Sequence, residues 1–64
     1  MNNYLLILGI FGEMRKEGNE IEVFMADDNK DAKRKADKIK DDFNNREREH
    51  HRIEGLYHVV ERVL

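Results

Sequence analysis

The stretch that decides the fold is YLLILGIFGEM, residues 4–14. Large apolar side chains occupy consecutive positions in it, a pattern typical of a strand that is buried on both faces. Periodicity alone does not separate such a run from a short buried helix. Gly9 and Gly12, together with the strand that follows, favour a strand. We therefore predict that residues 4–14 form the most apolar strand of a sheet.

A second strand is predicted directly after a polar loop. Residues 15–19, RKEGN, carry Gly-Asn, the two residue types that best tolerate a positive φ, and this indicates a hairpin loop. Residues 20–26, EIEVFMA, then alternate, with Ile21, Val23 and Met25 on one side and Glu20 and Glu22 on the other. Such alternation is typical of a half-buried strand.

A single helix is predicted from the acidic turn at Asp27 and Asp28 to about His50. Aspartate is a favoured cap residue, and its charge complements the positive end of the helix dipole. One narrow apolar stripe recurs at helical spacing, and the rest of the segment is charged. The stripe consists of Ala32, Ala36, Ile39 and Phe43.

The chain ends in a predicted third strand, residues 55–64, GLYHVVERVL. A hairpin followed by a helix and a strand is most simply closed by laying the third strand beside the first. The predicted fold is a single α+β domain over residues 1–64, with β-β-α-β connectivity. Its three-stranded antiparallel sheet has the order 2-1-3, and one helix packs on one face.

Composition excludes several kinds of chemistry. The chain has no Ser, Thr or Cys, so it offers neither hydroxyl nor thiol nucleophiles outside tyrosine, and no Gly-Lys-Ser/Thr phosphate loop is present. No apolar run approaches the ~20 residues of a membrane helix. We expect a cytoplasmic, non-catalytic protein without a cofactor. Its usage of Asn, Lys, Asp and Ile would suit a phage or mobile-element product.

The sheet face opposite the helix is the predicted partner-binding surface, because one helix cannot cover both faces of the first strand. If the helix packs on the side of Ile21, Val23 and Met25, Leu5, Ile7 and Phe11 share that covered side. The uncovered side then bears Tyr4, Leu6, Leu8, Ile10, Met14 and Phe24, with Leu56 and Val60 as further candidates. A register slip of one residue would exchange the sets in the first strand.

Two readings of this surface follow. Large exposed apolar patches usually mark interaction sites, which predicts a protein partner and most economically a two-fold homodimer. In the alternative, residues 44–54 fold back over the face, although Ile53 is the only large aliphatic side chain that they offer.

The histidines are weak candidates for a site. Glu47 could meet His50 or His51 one helical turn away, and with His58 they could supply zinc ligands. Adjacent histidines rarely bind one ion and no cysteine is present, so solvent-facing histidines and no metal site are expected. His58 with Glu54 or Glu61 could form an acid–base pair, but a chain of this size offers no predicted pocket, and no catalytic residue is assigned.

Nucleic acid is the alternative partner. The helix carries Lys30, Lys33, Arg34, Lys38 and Lys40, partly aligned on neighbouring rows. Nucleic-acid binders normally concentrate a basic excess on one face. Here acidic residues are interleaved, and 41% of residues are charged for a net charge of only −2. A solvated helix face is therefore expected, and nucleic acid is the less favoured partner.

Overall fold

The computed structural model describes residues 1–11, 18–47 and 50–60. It has β1 (Asn2–Phe11), β2 (Gly18–Ala26), α1 (Asn29–Glu47) and β3 (His50–Val59). The sheet order is β2-β1-β3, and β1 is antiparallel to both neighbours. The predicted α+β class, β-β-α-β connectivity and strand order are confirmed.

The start of α1 is fixed by aspartates, as the sequence predicts. The Asp31 amide donates to Asp28 Oδ1 at 2.8 Å, and the Ala32 amide donates to the Asp28 carbonyl at 2.9 Å. Asp28 is therefore the N-cap residue. The side chain of Asp31 reaches back to accept the Asp27 amide at 3.0 Å. Two amides that would lack helical partners at this end are satisfied by carboxylates.

Element bounds differ from the predicted ones mainly around β3. It begins at His50 rather than at residue 55, and α1 ends at Glu47 rather than at about His50. A bulge explains the early start. Ile7 pairs with Gly55 while Leu8 pairs with Ile53, so Glu54 is an extra residue that lets the strand continue. The predicted segments 12–17 and 61–64, including most of the hairpin loop and Met14, lie outside the described residues.

The core lies between α1 and the sheet face that α1 covers, here called the helix face. Leu6 and Leu8 of β1 are fully buried and pack with Ala36 and Phe43 of the helix. A second cluster joins Tyr4 to Ala26 and Ala32. Phe24 and Leu56 are half-buried and complete both clusters. Ala32 and Ala36 are the small residues of the helix, and they allow its axis to approach the rings of Tyr4 and Phe24.

The predicted choice of covered face is wrong. The helix packs on the side of Tyr4, Leu6 and Leu8 rather than on the side of Ile21, Val23 and Met25. The predicted partner-binding residues Tyr4, Leu6, Leu8 and Phe24 thus form the core, and strand alternation assigns Ile10 to the same side. The physical reason is that this side carries the rings of Tyr4 and Phe24, which fill the space beneath the small alanines of α1, and the Tyr4 hydroxyl bonds to Asn29 at the start of the helix.

The opposite sheet face is not covered by the described chain. Residues 44–47 are the last part of α1 and residues 50–54 form the first half of β3, so they do not fold back over it. The shortest principal extent of the Cα atoms is 15 Å, which fits one sheet and one helix layer. In the part of the chain that is described, no helix is long and apolar enough to cross a membrane.

Candidate functional site: the open sheet face

The sheet face away from α1, here called the open face, is apolar over most of its area. Cross-strand pairing brings its side chains together, since Leu5 lies between Val23 and Tyr57 and Ile7 lies beside Ile21. Five of these side chains are strongly exposed: Ile21 by 62%, Val23 by 66%, Met25 by 50%, Tyr57 by 54% and Val59 by 41%. Leu5 and Ile7 at the centre are half-buried by these neighbours.

One end of the open face is charged. The Arg52 guanidinium lies 4.2 Å from the ring centre of Phe11, and its Nε donates to Glu54 Oε1 at 3.0 Å. The Glu54 side chain occupies the space that a Cβ on Gly9 would need. The missing side chain of Gly9 therefore makes room for the ion pair. The open face thus has an apolar portion and an Arg–Glu portion arranged along the strands.

Sequence reasoning assigned the wrong side chains to this face because it placed the helix on the wrong side. The pairing of odd-numbered residues in β1 with Ile21, Val23 and Met25 is confirmed by the register. The missed members are Leu5 and Ile7, and also Tyr57 and Val59 from β3. A usable signal was the alanine-rich helix stripe together with the rings of Tyr4 and Phe24, which share one side of the sheet and fill the space beneath small residues.

The histidines have three different environments. His50 is exposed, whereas His51 is only 5% exposed, which corrects the expectation that it faces solvent. Asn44 Oδ1 accepts the His51 amide at 2.6 Å and lies 2.8 Å from its Nδ1. The His51 ring also lies against Phe43, with ring centres 5.3 Å apart. The side chain of Glu47 lies outside the described part of the chain, and among the described side chains no three of His, Asp or Glu form a group suited to a metal ion.

The proposed acid–base pair is not assembled among the described residues. His58 stacks on Tyr4, with ring centres 5.1 Å apart, on the helix face. Glu54 pairs with Arg52 on the open face. The sheet therefore separates these two groups, while Glu61 lies outside the described residues.

The basic residues of α1 do not form an unbroken positive surface. Lys30, Lys33, Arg34 and Lys38 are exposed and Lys40 is half-buried. Arg34 pairs with Asp31 at 2.6 Å, and Lys40 lies within 4 Å of carboxylate oxygens of both Asp37 and Asp41. Carboxylates thus neutralise part of the set on the helix itself. This arrangement favours the open face over the helix as the candidate binding surface.

No protein-family model, curated protein or solved structure matches this chain.

Proposed function

We propose that this chain is a non-catalytic protein–protein interaction module, a small adaptor, regulator or inhibitor, that binds through its open face. The observation that supports this proposal is the exposure of Ile21, Val23, Met25, Tyr57 and Val59 on the sheet face opposite the helix. Isolated exposed apolar side chains are common on proteins, but a contiguous apolar surface usually marks an interaction site.

The energetic argument concerns the five exposed side chains together. Burying one such side chain completely contributes roughly 1.5–3 kcal/mol. Each of the five is about half exposed, so covering all of them would contribute on the order of 5 kcal/mol. That is comparable to the whole stability of a small domain. Covering the open face would therefore offset much of the translational and rotational entropy that association costs.

A second copy of the chain is the partner that we propose first. In a two-fold dimer the same surface meets itself, so the apolar portion of one open face covers that of the other. Sheets that pack face to face through apolar side chains are a common architecture, with about 10 Å between the layers. The helices of the two copies would then lie on the outside, with their charged surfaces in solvent.

Sedimentation equilibrium tests this proposal from about 10 µM to about 1 mM protein, the range in which weak self-association becomes visible. The wild type should pass from monomer to dimer. The Val23→Lys variant places a charge within the apolar portion of the open face and should remain monomeric. Val60→Lys is the matched control, because Val60 is exposed and alternation assigns it to the other face. A wild type that stays monomeric throughout contradicts self-association.

A further inference from the structure

The outer edge of β2 is a second surface with features of a binding site. In the described sheet β2 pairs with β1 along one side only. The helix contacts β3 more extensively than β2. The other side of β2 therefore presents backbone groups that no described strand covers.

One side-chain contact shows which backbone groups point outward. Lys35 Nζ donates to the Met25 carbonyl at 2.9 Å, so this carbonyl points away from β1. In an antiparallel sheet the amide and carbonyl of a residue point to the same side, and successive residues alternate. Ile21 and Val23 thus direct their amides and carbonyls outward. The same alternation carried across β1 directs the His51 amide outward from β3, where it donates to Asn44.

The two edges of the sheet are protected differently. In β3 the bulge at Glu54 interrupts the edge, and the Asn44 side chain occupies an outward amide. Natural sheets commonly block their edges with bulges, prolines or lysines. The β2 sequence GNEIEVFMA has no proline or lysine, and its pairing with β1 has no register shift. Lys35 occupies the outward Met25 carbonyl near one end of β2. The part of the edge at Ile21 and Val23 is regular and open to another strand.

The charged residues of β2 indicate which side chains an added strand should carry. The side chains of Glu20 and Glu22 lie on the helix-facing side of β2 and are half-buried. Within the described residues, neither carboxylate takes part in an ion pair or a hydrogen bond. Ile21 and Val23 lie on the opposite side, in the open face. An added strand would therefore be favoured by basic residues beside the glutamates and apolar residues beside the open face.

We propose that the outer edge of β2 binds an extended segment of a partner protein in which basic and apolar residues alternate, added as an antiparallel fourth strand. A second copy of β2 fits this edge poorly, because it would bring its own Glu20 and Glu22 next to the same carboxylates. The partner at the edge is thus a different protein. The edge uses backbone groups, whereas the open face uses side chains, so the two surfaces can be tested separately.

Fluorescence anisotropy with labelled synthetic peptides tests this edge. The probe is a peptide of alternating lysine and valine, and its control has glutamate in place of lysine. The lysine peptide should bind at least about tenfold more tightly than the glutamate peptide. In the Glu20→Lys/Glu22→Lys double variant this preference should reverse. Equal binding of the two peptides to the wild type would overturn the proposal.

Backbone methylation of the peptide separates strand addition from simple charge attraction. Antiparallel pairing places the valines opposite Ile21 and Val23, with the valine amides directed at β2. Methylation of the valine backbone nitrogens should abolish binding. Methylation of the lysine backbone nitrogens should leave the dissociation constant within about threefold of that of the unmethylated peptide. Equal effects of the two methylation patterns would rule out the proposed pairing, and this comparison changes nothing in the protein.

Two substitutions at one position make the corresponding test on the protein. Val23→Pro removes an outward amide that makes no bond within the sheet, so proline is tolerated there. It should weaken peptide binding by about tenfold. Val23→Ala keeps the amide and loses only a cross-strand side-chain contact, so it should weaken peptide binding by less than about threefold. Unchanged binding by Val23→Pro would overturn the edge proposal, while loss of dimerisation, read by sedimentation, would concern only the open face.

Discussion

The Tyr4 hydroxyl donates a 2.7 Å hydrogen bond to Asn29 Oδ1, linking the central strand to the first turn of the helix. The Tyr4 ring lies between Phe24 and His58, with ring centres 5.9 Å and 5.1 Å away. This bond and these stacking contacts place the N-terminal end of α1 over the helix face.

Removing the hydroxyl should lower the free energy of unfolding modestly. In Tyr4→Phe we expect a loss of about 0.5–1.5 kcal/mol, since Asn29 is exposed and water can replace the lost donor. Urea denaturation followed by circular dichroism measures this. Tyr57→Phe is the matched control, because its ring lies on the open face and its stability should change by less than about 0.5 kcal/mol. Equal losses in the two variants would contradict the role of the Tyr4–Asn29 bond.

Truncation of apolar side chains tests which sheet face forms the core. Leu6→Ala should cost roughly 2–5 kcal/mol, because Leu6 is fully buried against the helix. Ile21→Ala, on the open face, should cost much less in dilute monomer, since that side chain is 62% exposed. The measurement is the urea midpoint of each variant at low protein concentration. The reverse order would mean that the helix covers the other face.

The Asn44 side chain should stabilise the junction between α1 and the start of β3. Asn44→Ala removes the acceptor of the His51 amide in a part-buried position, which should cost about 1–3 kcal/mol. Asn44→Asp keeps an acceptor oxygen and should retain more of the stability. Hydrogen exchange at the His51 amide provides a local readout. An exchange rate that does not change in Asn44→Ala would contradict this prediction.

Stability should depend on the ionisation of Asp31 in acid. The hydrogen bond from the Asp27 amide, followed by those from Arg34 and Lys35, lowers the pKa of Asp31 from its ordinary value of 3.8 to about 2. Because the folded pKa is depressed, this stabilisation is present above the ordinary value and is lost as pH falls through about 2. Asp31→Asn should therefore be less stable than wild type at pH 6, and the difference should shrink between about pH 4 and pH 2.

The control for this pH dependence is Asp37→Asn. The Asp37 carboxylate is exposed and lies 3.9 Å from Lys40, a geometry that contributes little to stability. The free energy of unfolding of Asp37→Asn should follow that of the wild type between pH 6 and pH 2. A difference between Asp31→Asn and wild type that stays constant from pH 6 to pH 2 would show that the carboxylate charge is not responsible.

The strand order follows from the sequence because a hairpin, a helix and a strand have few simple arrangements. The alternation of residue types does not predict which sheet face the helix covers. Consecutive β1 residues such as Leu5, Leu6 and Ile7 are all apolar, so the two faces of β1 look alike in the sequence. In β2 alternation pointed to the wrong side, since Glu20 and Glu22 lie at the margin of the helix face. Burial of His51 depends on Asn44 and on the bulge, and neither is apparent in the local pattern.

That bulge makes the length of β3 as important as its composition. Before Glu54 the odd-numbered His51 and Ile53 share the helix side of the sheet, and after it the even-numbered Leu56 and His58 do. The extra residue thus exchanges, within β3, the odd- and even-numbered positions whose side chains point toward the helix. Deleting Glu54 would leave Ile53 and Gly55 adjacent and opposite Leu8 and Ile7, so the strand would alternate regularly and both halves would keep their present sides of the sheet. What the deletion would change is the edge, because the interruption that now protects β3 from pairing with a further strand would be gone.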